Sequence, residues 1–141
     1  MSPETNIATV RRMIEQVYNK RRLDLIEEFF TEDVILHVVG YPSSTGLEAL
    51  RQNIAKSLNA FPDFKLTFED EVAAGDKVAA RWTVTGTHKG ELFGIPATSK
   101  QVTENGMSFY CLANAKIAEI WFLADYLGMM QQLGVIPQGA A

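Results

Sequence analysis

The first half of the chain follows a helical pattern of apolar positions. Apolar side chains recur every three or four residues in a first segment, at Ile7, Val10, Ile14, Val17 and Tyr18. This spacing predicts a helix that buries one face. Ser2 and Pro3 supply a favoured N-cap and a favoured first helical residue. Similar patterns predict a short helix at 25–30 and a longer one at 47–58, which Phe61-Pro62-Asp63 closes.

In the second half the period changes from helical to alternating. Phe64, Leu66 and Phe68 alternate with polar residues, and longer alternating runs follow at 78–87, 102–112 and 116–123. Alternation predicts strands, as does the apolar run at 34–39. Turns are expected at 75–76 and 114–115. Helices followed by successive strands predict an α+β fold with a mostly antiparallel, curved sheet and the helices on its concave face.

Composition narrows the class of protein. A length of 141 residues with 47% hydrophobic and 21% charged residues predicts a single globular domain over residues 1–141, with a frayed tail from about 137. A net charge of −4 argues against nucleic acid as a partner. No apolar run is long enough for a membrane span, and no signal peptide is expected. The single cysteine cannot form an internal disulfide, which favours the cytoplasm.

Asp125 is the strongest candidate for catalysis. It ends the apolar run 117–123 and is followed at once by a predicted helix. A carboxylate at the mouth of an apolar sheet is costly to ionise, so its pKa would be raised and it could serve as a general acid or base. Asp is also a favoured N-cap, and the residues alone leave the two interpretations evenly balanced.

The two histidines are weaker candidates. His37 shares strand parity with Ile35 and Val39, so it is expected to point inward, either as a satisfied core residue or as a catalytic group. His88 has the parity of Trp82 and is expected at the rim of the same face, with a surface loop as the alternative. One cysteine and two histidines make a transition-metal site unexpected, and no phosphate-binding glycine motif is present, so no metal or cofactor is predicted.

Aromatic side chains could form the walls of a pocket. The candidates are Tyr18, Trp82, Phe93 and Trp121, although core packing is the simpler interpretation of each. Phe93 lies in the loop 89–98, which is expected to cap the pocket mouth. Glu104 is either on the outer face of its strand or a second pocket carboxylate. The outer position is slightly favoured, because Met107 and Phe109 supply a competing apolar face.

Four segments resemble the SnoaL-like polyketide cyclases. Residues 81–98 are similar to that family's RWT.TGTH.GE..GIPPTG segment, and 116–134 to its GKI.E.W...D..GL.QQLG ending. Residues 60–63 match its AFPD segment, and 33–37 resemble its DFVDH-like strand. The resemblance extends over about residues 7–137. Glu104 stands where an apolar residue is common in the family.

The resemblance implies a cone-shaped barrel of the nuclear-transport-factor-2-like type, usually dimeric. Founding members of the family close a polyketide ring by an intramolecular aldol reaction without metal or cofactor. The family's catalytic aspartate corresponds to Asp125, and its histidines correspond to His37 and His88.

Three functional hypotheses remain open at this stage. The first is an acid–base enzyme acting on a hydrophobic, carbonyl-bearing small molecule. The second is a ligand-binding or stress-related module without turnover, and the third is an isomerase or epoxide hydrolase. In each case a homodimer is expected, formed through the outer sheet face that carries Arg81, Thr83 and Thr85.

Overall fold

The computed structural model describes residues 2–137, and these residues form an α+β fold. A π-helical segment (Ile14–Asn19) and a 3₁₀ turn (Leu23–Leu25) separate the first two α-helices. The α-helices are α1 (Pro3–Met13), α2 (Ile26–Phe29), α3 (Leu47–Ala60) and α4 (Tyr126–Leu133). The strands are β1 (Phe30–Val38), β2 (Ser44–Thr45), β3 (Lys65–Ala74), β4 (Lys77–Thr87), β5 (Gln101–Ala113) and β6 (Lys116–Ala124).

The six strands form one sheet in the order β2-β1-β6-β5-β4-β3. Neighbouring strands run antiparallel except for β1 and β6, which are parallel. Register shifts occur in β1, in β3 between Phe68 and Asp70, and in β5 between Cys111 and Leu112. Such irregularities bend a strand and increase its twist, so the sheet curves around the helices. The predicted cone-shaped α+β architecture is confirmed.

The helices begin where the sequence predicts and pack on one face of the sheet. Ser2 caps α1, because its hydroxyl accepts a hydrogen bond from the Thr5 amide at 3.1 Å and Pro3 occupies the first turn. Helix α1 contacts β3 and β4, α3 contacts β1, and α4 contacts β5. The enclosed face carries the hydrophobic core, and its largest fully buried side chain is that of Trp82.

The inner and outer faces of the sheet are clearest on β4. Trp82 and Val84 are buried under the helices, as the alternation predicted. Arg81, Thr83 and Thr85 lie on the outer face, also as predicted. The two faces differ less elsewhere, because β5 and β6 carry large apolar side chains on both.

The sequence also predicts no membrane span and a frayed C-terminal tail. No helix within residues 2–137 has the length and apolar character needed to cross a membrane. Residues 138–141 of the expected frayed tail lie outside the described residues.

Candidate active site

Glu104 lies on the inner face of β5, in the alternation that buries Val102 and Ser108. The outer position favoured from the sequence is therefore wrong, since Met107 and Phe109 occupy the outer face. The Glu104 Oε2 atom is buried and has no hydrogen-bond partner among the residues that the structure describes. Burial, with the nearby charge of Asp125, raises the pKa of the Glu104 carboxyl to about 7. Glu104 is thus a partly protonated acid at neutral pH.

Trp82 forms the inner wall beside Glu104. Its indole Nε1 donates a hydrogen bond to the Ser108 hydroxyl at 2.8 Å, and its ring stacks on Phe122 at 4.9 Å between centroids. Gly106, opposite Trp82 on β5, leaves the space that the indole occupies, and any side chain there would collide with it. The predicted place of Trp82 on the inner face is confirmed, in a position fixed by its neighbours.

His88 is fully buried, so it is neither a rim residue nor a surface loop residue. Its Nδ1 accepts a hydrogen bond from the Thr98 amide at 3.2 Å, and the Thr98 hydroxyl lies 3.0 Å from the same atom. Because a main-chain amide can only donate, Nδ1 is unprotonated and the neutral ring carries its proton on Nε2. That Nε2 atom is buried and has no hydrogen-bond partner among residues 2–137.

Asp125 is the N-cap of α4, so the capping role predicted from the sequence is confirmed. Its Oδ1 accepts a hydrogen bond from the Gly128 amide at 2.9 Å. The residue is exposed, so the burial expected from the preceding apolar run is absent. Its carboxylate still lies close enough to Glu104 to raise that group's pKa. The capping role leaves Oδ2 free for a further interaction.

Helix α4 is fastened to the edge of β5 that β6 leaves uncovered. The Gln132 side-chain amide accepts from the Thr103 amide and donates to the Thr103 carbonyl, at 2.8 Å each. The Asp125 amide donates to the Asn105 carbonyl at 2.9 Å. These bonds hold the start and end of α4 on either side of Glu104. They therefore fix the position of the Asp125 carboxyl group relative to that of Glu104.

Three aromatic residues cluster next to Asp125. Phe93 lies parallel to Tyr41 at 6.1 Å and edge-on to Tyr126 at 5.7 Å. Phe93 remains half exposed, so the loop 89–98 carries it to the mouth of the cone rather than deep inside. Burial, with the nearby Glu104, raises the pKa of Tyr126 to about 12. Tyr126 is therefore a neutral phenol that can donate a hydrogen bond.

Tyr18 approaches the same interior from the helical side. Burial, followed by the effects of Tyr110 and Tyr126, raises the pKa of Tyr18 well above its ordinary value. Its ring stacks on Phe64 at 5.8 Å. Tyr18 and Glu104 are enclosed by protein and yet each retains some accessible surface, which is typical of groups that line a concave site.

His37 does not face this interior, so the prediction that it points inward is wrong. Val34 and Leu36 are the buried residues of β1, and His37 lies on the opposite face. Its Nδ1 lies 2.6 Å from the Ser43 hydroxyl, and its Nε2 lies 2.6 Å from Glu119 Oε2. Both ring nitrogens are satisfied on the outer face, which leaves His37 no part in the inner site.

Trp121 lies on the outer face as well, which corrects its predicted place in the pocket wall. Its ring stacks on His37 at 4.8 Å and is 38% exposed. The residue lines a shallow groove of about 380 Å³ on the outer sheet face, together with Met107, Phe109 and Leu123. The inward positions of β6 belong instead to Ile120, Phe122 and Ala124.

The sequence interpretation did not identify Tyr41, Tyr110 and Tyr126 as site residues. Tyr126 directly follows Asp125, and that adjacency was a usable signal. Tyr110 shares the inner parity of Glu104, whereas nothing in the sequence brings Tyr41 to Tyr126. Within residues 2–137, no three His, Cys, Asp or Glu side chains come together in a way that could hold a metal ion.

Comparison with known proteins identifies the family of this chain. The sequence profile of the SnoaL-like polyketide cyclases matches residues 8–133. The chain is 30% identical over 133 residues to aklanonic acid methyl ester cyclase DnrD of Streptomyces peucetius, covering 92% of this chain and 91% of the relative. It is 29% identical over 140 residues to aklanonic acid methyl ester cyclase DauD of Streptomyces sp. (strain C5), covering 95% and 83%.

A solved structure supports the fold. The crystal structure of a protein from Jannaschia sp. CCS1, assigned to the SnoaL-like polyketide cyclases, superposes with a TM-score of 0.89 at 22% identity. The superposition covers 97% of this chain and 98% of that one. Together with the matched profile and the curated relatives, these findings show that the chain belongs to the SnoaL-like polyketide cyclase family.

Proposed function

We propose that this protein is an enzyme that removes a proton next to a carbonyl group of a hydrophobic small molecule and thereby closes a ring. Asp125 is the base. The observation that carries the proposal is the position of its carboxylate, at the open end of β6 beside the enclosed Glu104 and Tyr126. There an exposed carboxyl group is accessible to an incoming substrate, and hydrogen-bond donors stand within the site.

The chemistry needs only side chains of this kind. Asp125 takes the proton from the carbon next to a carbonyl, and the resulting carbanion attacks a second carbonyl of the same molecule. Negative charge then develops on the second oxygen, and a positioned donor stabilises it. Tyr18, which keeps some accessible surface, provides a flat apolar surface against which a ring system can lie, and the buried Trp82 supports the wall behind it.

His88 lies away from Asp125 along the sheet. Its main-chain amide donates to Lys100, just before β5, whereas the Asp125 amide donates to Asn105 on β5. Five residues separate these two points, or roughly 16 Å of extended chain. Because His88 is fully buried and bonded to Thr98, we assign it to holding the loop 89–98 in place and not to contact with the substrate.

The relatives favour ring closure over the other reactions considered. The two curated relatives are named for cyclising aklanonic acid methyl ester. A cyclisation of that class is the reaction we propose for this chain, with a substrate that need not be the same ester.

The experiment is a turnover assay of three proteins on a panel that begins with aklanonic acid methyl ester. The panel extends to shorter aromatic β-keto esters. Wild-type protein is compared with Asp125→Asn, which keeps the N-cap, and with Asp33→Asn, an exposed control on β1. We expect the control to retain full activity and Asp125→Asn to lose a factor of roughly 10²–10⁴. Tight binding of the panel without turnover by wild-type protein would instead favour a ligand-binding module.

We also propose that two copies associate through the outer face of the sheet. Large apolar side chains are exposed there: Val72, Met107, Phe109, Trp121 and Leu123. Asp70, Glu71 and Arg81 line the same groove, so the surface carries both charge signs and can complement a second copy of itself. A contiguous apolar surface of this kind is typical of an interface.

A further inference from the structure

Glu104 has a property that the proposed base does not use. Its Oε2 is buried without a partner in the described part of the chain, although buried polar atoms are nearly always hydrogen-bonded. An ionised carboxylate in that position would be costly, whereas a protonated one can offer its O–H to a ligand. Because Glu104 as a whole keeps some accessible surface, its carboxyl group is placed for a group that arrives from outside the protein.

A second carboxyl group, that of Asp125, is held near Glu104. The Gln132–Thr103 and Asp125–Asn105 hydrogen bonds hold α4 along β5, with Glu104 between the two anchored residues. Asp125 is exposed, whereas Glu104 is enclosed, and burial with the nearby Asp125 raises the pKa of the Glu104 carboxyl. The other titratable groups that face this pair are Tyr126 on α4 and, beyond it, Tyr18.

We propose that Glu104 is the catalytic acid of this site and works as a pair with the base Asp125. This inference rests on the proposed function, because it assigns the donor that ring closure requires. Glu104 meets the reacting oxygen, whereas His88 is fully buried and pairs with Lys100, four residues or roughly 13 Å along the chain from Glu104.

The pair balances the reaction without net proton uptake. Asp125 removes a proton from the carbon next to the first carbonyl, and the freed electron pair forms the new carbon–carbon bond to the second carbonyl carbon. The electrons of that carbonyl move to its oxygen, which takes the proton of Glu104 and becomes a hydroxyl. The proton is then on Asp125 and the charge on Glu104. Transfer of the proton from Asp125 to Glu104, directly or through water, restores the starting state.

Infrared titration tests the protonation state without any substrate. We expect wild-type protein to show a protonated-carboxyl C=O band at pH 6 that disappears with a midpoint near pH 7 and is missing in Glu104→Gln. In Asp125→Asn the midpoint should fall, because the neighbouring negative charge is gone. A Glu104 band that titrates near the ordinary value of about 4.3 would overturn the proposal.

Turnover separates this proposal from the proposed function. Glu104→Gln keeps the shape but cannot donate a proton, so its kcat should fall roughly 10²–10⁴-fold. The decline of wild-type kcat above pH 7 should be absent from the residual activity. Glu69→Gln, an exposed control, should behave as wild type. Full kcat in Glu104→Gln with loss in Asp125→Asn would remove Glu104 as the acid and leave the base intact. Full activity of Asp125→Asn would instead refute the base and the pair, although Glu104 protonation would still be measured by the infrared band.

Discussion

Gly128 leaves open the space that the carboxylate of Asp125 occupies. A side chain at Gly128 would collide with Oδ2 and Cγ of Asp125. The glycine amide also donates to Asp125 Oδ1 at 2.9 Å. One residue therefore supplies both the hydrogen bond and the room that set the direction of the proposed base.

The first prediction concerns Gly128→Ala. In an ordinary helix interior this change stabilises the protein by up to about 1 kcal/mol. Here the added methyl group should displace the Asp125 carboxylate, so the gain should vanish and activity should fall at least tenfold. Thermal unfolding and turnover measured on the same variant check both effects. A more stable protein with unchanged turnover would show that the position of Asp125 is unimportant.

A second prediction tests the attachment of α4. Gln132→Leu removes two hydrogen bonds to the main chain of Thr103, which is exposed and can bond to water instead. The free energy of unfolding should therefore fall by only about 1–2 kcal/mol. Turnover should fall more than this loss implies, because the two carboxyl groups lose their fixed separation. Gln131→Leu is the matched control, and an equal effect of both variants on turnover would count against the attachment.

The sheet faces show how far the sequence can be interpreted. On β4, apolar residues alternate with Arg81 and Thr83, so the inner position of Trp82 follows from period two alone. On β1 and β6 both faces are apolar, because the outer face is itself hydrophobic, and alternation cannot then assign His37 or Trp121 to a side. The same ambiguity misplaced Glu104, since Met107 and Phe109 on the outer face resembled core residues.

Contacts between distant segments were beyond the sequence pattern. The Asp125 cap was predictable, because an aspartate preceding a helical pattern is a local signal. The bonds between Gln132 and Thr103 join side chain to main chain across 29 residues, and no periodicity encodes them. The fold could therefore be predicted from local patterns and resemblance, whereas the pairing of Asp125 with Glu104 required the tertiary structure.

A third prediction concerns stability and pH. Folding raises the pKa of Glu104 from 4.5 to about 7, so the folded state binds the proton more tightly than the unfolded state. The contribution of Glu104 to stability is therefore fully present below pH 4.5 and is lost as pH rises to 7. Glu104→Gln should be more stable than wild type at pH 8 by on the order of 1–3 kcal/mol, with little difference at pH 4.

Chemical denaturation of both proteins at the two pH values checks this. Glu69→Gln, a substitution at an exposed residue, should show no such pH-dependent difference. An equal effect of Glu104→Gln at pH 4 and pH 8 would mean that Glu104 does not change its proton affinity on folding.

A fourth prediction concerns assembly. Leu123 is 53% exposed on the outer apolar face, so Leu123→Lys should place two charges in the proposed interface and yield monomers. Val135→Lys, exposed but outside that face, should leave the dimer unchanged. Sedimentation equilibrium at micromolar concentration gives the mass of each. A monomeric wild-type protein would contradict the proposed dimer.

Hydrogen exchange at the substrate carbon tests the central claim most directly. In deuterated buffer, wild-type protein should catalyse the exchange of the proton next to the substrate carbonyl, and nuclear magnetic resonance can follow that exchange. Asp125→Asn should slow it by roughly 10²–10⁴-fold, because the base is gone while the N-cap remains. Exchange by Asp125→Asn at the wild-type rate would contradict the assignment of Asp125 as the base.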